Sequence, residues 1–106
     1  MESKPIKTVE ELDEIIKGEE LQVVRFHASW CGPCKQLGTV IEKLEDIPNV
    51  HFYDVDIDDA FELTEKYSVM NVPTTLFFKD NCMVDKFIGF MTEGSLKNKI
   101  QENLSK

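Results

Sequence analysis

The sequence predicts an α/β fold, with a mixed central β-sheet flanked by helices on both faces. Three observations carry that prediction. Segments whose apolar residues fall at helical spacing alternate with segments of strand character along the chain. Helices between strands imply crossovers, and so a parallel central part of the sheet. Towards the C-terminus, "TTLFFK" and "MVDKFIGF" are separated only by a tight turn at Asp80-Asn81, which adds antiparallel strands. With 106 residues, 42% of them apolar, the chain suits one core and one domain spanning 1–106.

The elements follow in order. A short strand is expected around residues 5–7. "TVEELDEIIKG" then opens with Thr8 and has Glu11 three residues later, the pattern of a capping box. Val9, Leu12, Ile15 and Ile16 share one helical face, and Gly18 supplies a stop. "LQVVRFHA" reads as a buried strand interrupted by Arg25 and His27. From Cys34 onward Leu37, Val40, Ile41 and Leu44 recur at helical spacing until Pro48. "VHFYDVDI" is rich in β-branched and aromatic residues and predicts a strand. Asp59 with Glu62 is expected to cap a short helix carrying Leu63 and Tyr67. The hairpin follows Pro73; its turn residues tolerate the positive φ such turns need. Leu96, Ile100 and Leu104 mark a closing helix after Thr92.

Twelve basic against twenty acidic residues leave a net charge of −8, spread along the chain. Nucleic acid and anionic membranes recruit basic patches, so neither is expected as a partner. No apolar run approaches the roughly 18 residues that span a bilayer, and "MESKPIKTVEELDEII" lacks a signal-peptide stretch. A cytoplasmic location is therefore expected, where thiols are kept reduced. Three cysteines form an odd set, which disfavours a disulfide framework.

The chemistry concentrates in "ASWCGPCKQL", residues 28–37. Cys31 ends a strand-to-helix loop, and the helix begins at Gly32-Pro33, where a proline's missing N–H costs nothing. Free backbone N–H groups and the positive end of the helix dipole converge on Cys31, stabilising a thiolate there. Lys35 adds positive charge. Cys34, one turn on, is placed to resolve a mixed disulfide formed at Cys31. Trp30 and Pro33 supply apolar surface around the sulfurs. A structural zinc needs four ligands; Cys82, His27 and His51 are scattered without a second paired motif, so metal is the minor reading. Cys82 reads as an incidental, partly exposed thiol, His51 as a strand residue, and His27 as a packing residue that could tune the dithiol.

"WCGPCK" after a buried strand, "VPTTLFFKD" some forty residues later, and the late glycine of "IGF" together resemble the thioredoxin family, over essentially the whole chain. The resemblance implies the thioredoxin fold and cytosolic reduction of protein disulfides by a Cys31–Cys34 dithiol. It implies a thioredoxin reductase as electron donor and protein disulfides as substrates; no cofactor is expected, and the chain is expected to be a monomer. It implies a cis bond before Pro73, with Pro73 packed against the dithiol, and an apolar docking face of Trp30, Gly32, Pro33, Val72, Pro73 and Gly89. A target segment would hydrogen-bond to the Val72 backbone by strand addition.

The sequence departs from the family pattern at several places. Arg25 stands where a buried aspartate usually helps deprotonate the resolving thiol. His27 replaces an aromatic residue, Gly38-Thr39 replaces a helix proline, and Asp80-Asn81 replaces Asn-Gly. A buried guanidinium needs an anion or a route to water. Asp54, at the matching position of the neighbouring strand, is the expected partner, with Asp56 second and snorkelling to the surface as the alternative. Arg25, Asp54 and Lys35 are thus expected to tune the dithiol. A thioredoxin-fold binding or regulatory module with weak redox activity is the competing function, and Arg25 is the feature that favours it. A disulfide-forming oxidase fits less well without a signal peptide.

Overall fold

The computed structural model describes residues 1–106. Nine elements run in the predicted order: β1 (Ser3–Pro5), α1 (Val9–Ile15), β2 (Leu21–His27), α2 (Gly32–Lys43), β3 (Val50–Asp56), α3 (Phe61–Lys66), β4 (Thr74–Lys79), β5 (Cys82–Ile88) and α4 (Glu93–Leu104). The strands form one sheet in the order β1-β3-β2-β4-β5. β3 is parallel to both β1 and β2, while β4 is antiparallel to β2 and β5 to β4.

Alternation along β2 builds two cores, one on each face of this sheet. Leu21 and Val23 face α2 and α4, packing with Leu37, Ile41, Leu96 and Ile100. Val24 and Phe26 face the other way, towards Leu12 of α1 and Leu63 of α3. A leucine as fully buried as Leu37 contributes roughly 2 kcal/mol of hydrophobic stabilisation, which fixes α2 against the sheet. The period of two then puts Arg25 and His27 on the α2 side, continuing the Leu21–Val23 row. In register, Arg25 lies beside Asp54 on β3 and Thr75 on β4, and His27 beside Asp56.

Local signals explain most boundaries. The Thr8–Glu11 capping box closes reciprocally at the start of α1, and Thr92 caps α4 by accepting from the Ser95 N–H. Asp80 and Asn81 take φ of 52° and 66° at the hairpin turn. α2 runs unbroken through Gly38-Thr39. Two expectations need correction. The first strand lies at Ser3–Pro5 rather than 5–7, because its limits are set by pairing with β3 from Phe52 to Asp54. The α3 N-cap is Ala60, without a side-chain cap bond, and not Asp59. Asp56 holds that turn instead, its carbonyl accepting from the N–H groups of Asp59 and Ala60. The helix therefore starts one residue late for Asp59 to reach its open end.

Candidate active site

β2 ends at His27, and the chain turns so that the Cys31 N–H donates to the Ala28 carbonyl at 3.2 Å. Cys31 is the N-cap of α2. Its Sγ accepts the Cys34 N–H at 3.2 Å, satisfying one of the free donors of the first turn. Pro33 lies within that turn. Cys31 and Cys34 are joined as a disulfide, their Cα atoms 5.3 Å apart. Cys31 Sγ also lies 3.7 Å from the Val72 carbonyl oxygen, so the loop before β4 closes over the sulfurs. Cys31 is only 6% exposed and Cys34 1%. Ala28, Ile57 and Val72 pack around the pair, so the attacking sulfur as well as the deeper one is shielded.

The apolar surroundings divide into exposed and buried parts. Trp30, Gly32 and Pro33 are exposed, while Val72 and Gly89 are half-buried. The Trp30 ring is fixed by Nε1 donating to Asp58 Oδ2 at 3.1 Å. The Val72–Pro73 bond is cis. Pro73 is buried, so it underlies the surface and does not form its outer layer. Its carbonyl accepts the Gly89 N–H at 2.8 Å. Gly89 has φ of +106°, a conformation that favours glycine over any residue with a Cβ. Met70, Ile88 and Phe90 are large, exposed apolar side chains two residues before Val72 and on either side of Gly89. The sequence reading missed them: nothing in a lone exposed methionine or a strand's outward residue distinguishes it before its neighbours are known.

Behind the dithiol, Arg25 donates from Nε to Asp54 Oδ1 at 3.0 Å and from Nη1 to the Cys34 carbonyl at 2.8 Å. Arg25 is 7% exposed, so its head is held by these two acceptors and does not snorkel into solvent. Asp56 is otherwise engaged, its Oδ1 accepting the Asp58 N–H. The bond to Cys34 links the guanidinium directly to the first turn of α2, a contact that residue counting does not reveal. Lys35 is exposed on the same turn. His27 is half-buried; burial first, and then the Arg25 charge, pull its pKa below the usual histidine value, while Asp54 and Asp56 oppose that shift. Cys82 is an exposed free thiol, and His51 pairs with Glu20 across the sheet's far end. No group of three or more His, Cys, Asp or Glu side chains is arranged to hold a metal ion. No helix is long and apolar enough to cross a membrane.

A disulfide closed across one turn at a helix N-terminus, beneath exposed apolar surface, defines a site for thiol–disulfide exchange. Known proteins give that class its family. The thioredoxin family model matches residues 4–102. The thioredoxin of Mycoplasmoides gallisepticum is 41% identical over 95 residues, covering 89% of this chain and 95% of that protein. The Fasciola hepatica thioredoxin structure superposes with a TM-score of 0.86 at 38% identity, covering 93% of this chain and 97% of that one. The Trypanosoma brucei brucei thioredoxin gives a TM-score of 0.89 at 30% identity, covering 99% and 93%. The chain belongs to the thioredoxin family. It has the thioredoxin fold and is a thiol–disulfide oxidoreductase acting on protein disulfides through the Cys31–Cys34 pair.

Proposed function

We propose that Cys31 is the attacking thiol and Cys34 the resolving thiol of this protein-disulfide reductase. One observation carries the assignment: Cys31 caps α2, where the open N–H groups and the helix dipole favour a thiolate. Cys34 lies one turn inside and is the more deeply buried of the two. The Cys31 thiolate attacks one sulfur of the target disulfide, and the other target sulfur leaves as a thiolate. Cys34, once deprotonated, attacks Cys31 Sγ and expels the second target sulfur. Two electrons pass to the target, and the Cys31–Cys34 bond forms.

Trp30, Gly32, Pro33, Val72 and Gly89 form the docking face, with Pro73 supporting it from below. An extended target segment adds to the Val72 backbone. Arg25, Asp54 and Lys35 set the field at the sulfurs. A thioredoxin reductase returns the disulfide to the dithiol, and the protein works as a cytoplasmic monomer in electron transport. That location suits a dithiol donor, which must be continually recharged in a reducing compartment.

Trapping tests the assignment. In a Cys82→Ser background, Cys34→Ser should accumulate a mixed disulfide with protein targets on a non-reducing gel, and Cys31→Ser should not. Accumulation with Cys31→Ser alone would reverse the two roles.

A further inference from the structure

Resolution requires a thiolate at Cys34, a side chain 1% exposed and packed with Cys31 and Ala28. Its proton needs an exit. Beside it an open crevice is lined by Arg25, His27, Ser29, Cys34, Lys35 and Glu42. We propose that His27 accepts the Cys34 proton through this crevice when the mixed disulfide is resolved. The proposal rests on the reading of Cys34 as the resolving thiol.

The neighbouring groups leave His27 as the acceptor by elimination. Arg25 and Lys35 are cations and cannot take a proton. Asp54 is held by the Arg25 guanidinium, and Asp56 by the Asp58 N–H. Glu42 lies eight residues beyond Cys34 on α2, about 12 Å along the axis at 1.5 Å per residue. The Ser29 hydroxyl is not a base at neutral pH. His27 and Cys34 line the same crevice, and His27 is the one neutral base among the residues that line it.

Burial and then the Arg25 charge lower the His27 pKa, so a neutral ring nitrogen is available to accept, and the same two causes make the protonated ring short-lived. The charges facing it are Arg25 on its own strand, Asp54 and Asp56 on β3, and Lys35 and Glu42 on α2. The two aspartates favour the imidazolium, but burial and Arg25 outweigh them, so the proton passes on from the ring. The steps balance. The Cys34 proton moves to His27, Cys34 Sγ bonds to Cys31 Sγ, the Cys31–target bond breaks, and the target leaves as a thiolate. His27 then releases the proton to crevice water.

Ellman's reagent tests this on the reduced full-length chain in a Cys82→Ser background. Cys31 attack releases one thionitrobenzoate, and Cys34 attack releases the second. His27→Gln should leave the first phase within about twofold and slow the second at least about tenfold at neutral pH, the lower range for a lost general base. Its second phase should then climb in proportion to hydroxide between about pH 6 and 8, where the parent rate is flatter. His27→Phe, which fills the space without an acceptor, should behave alike. An unchanged second phase with the parent's pH profile, or parallel slowing of both phases, would overturn the proposal. A second phase persisting in Cys34→Ser would overturn both this inference and the assignment of the two cysteines.

Discussion

Arg25 is buried beneath the dithiol with a full positive charge, and such a group persists only where its donors are met. The Asp54 carboxylate and the Cys34 carbonyl meet them. The pair also decides how much of the charge reaches the sulfurs. A lone cation there would favour thiolates, stabilise the reduced form and raise the reduction potential. A carboxylate in contact with the guanidinium, as Asp54 is, opposes that field. Asp54→Asn should therefore raise the potential by tens of millivolts, roughly 30 mV for each 1.4 kcal/mol of differential stabilisation, read by glutathione-equilibrated titration. A fall would contradict this sign. Arg25→Met and Asp54→Asn should couple in a double-mutant cycle by about 1–3 kcal/mol of stability, since the two side chains touch. Additive losses would mean that the ion pair contributes nothing beyond its separate residues. The residue scale was also where the sequence was least even. The Cys31–Cys34 pair is written in letters separated by two residues, and Asp54 emerges by counting across strands. The Trp30–Asp58 bond and the crevice shared by His27 and Cys34 arise from loops whose approach has no local signature.

Among the elements, β5 and α4 are tied by one carboxylate. Asp85 on the edge strand accepts from Asn103 Nδ2 at 2.9 Å and Lys99 Nζ at 3.1 Å, both on α4, and from the Lys86 N–H at 2.8 Å. Burial pushes the Asp85 carboxyl upward, but these hydrogen bonds and the Lys99 charge outweigh it and hold the pKa below the ordinary value. A depressed folded-state pKa means that the unfolded chain binds the proton more readily, so the stabilisation is complete above the ordinary carboxylate pKa. It is lost as pH falls through the lower folded value. Asp85→Asn should cost about 1–2 kcal/mol at neutral pH, with the gap narrowing below about pH 4, as measured by urea unfolding across the acid range. A gap independent of pH would remove the carboxylate's charge from the account. Element types were legible because caps, periodicity and turn residues are local: Thr8, Thr92 and Asp80-Asn81 act within a few positions of themselves. β1 and the start of α3 were misplaced because each is decided elsewhere. Pairing with β3 selects the strand residues, and the turn that Asp56 closes onto Asp59 and Ala60 puts Ala60, not Asp59, at the helix N-cap.

For the whole molecule, the sheet order brings three distant segments to one end: the loop after β2, the cis-proline loop before β4, and the Gly89 bend after β5. Only their convergence turns separate motifs into a site with sulfurs below and apolar surface above. A net charge of −8 leaves that apolar face as the feature suited to protein targets, since it offers no basic ground for nucleic acid. The competing view, a binding module with an idle dithiol, shares the fold and the exposed apolar surface and differs only in turnover. Dithiothreitol-driven reduction of insulin disulfides by the full chain measures that turnover directly. Reduction should run well above the rate with dithiothreitol alone, persist in Cys82→Ser and be abolished in Cys31→Ser. A rate no greater than dithiothreitol alone, or activity surviving in Cys31→Ser, would contradict catalysis by this dithiol.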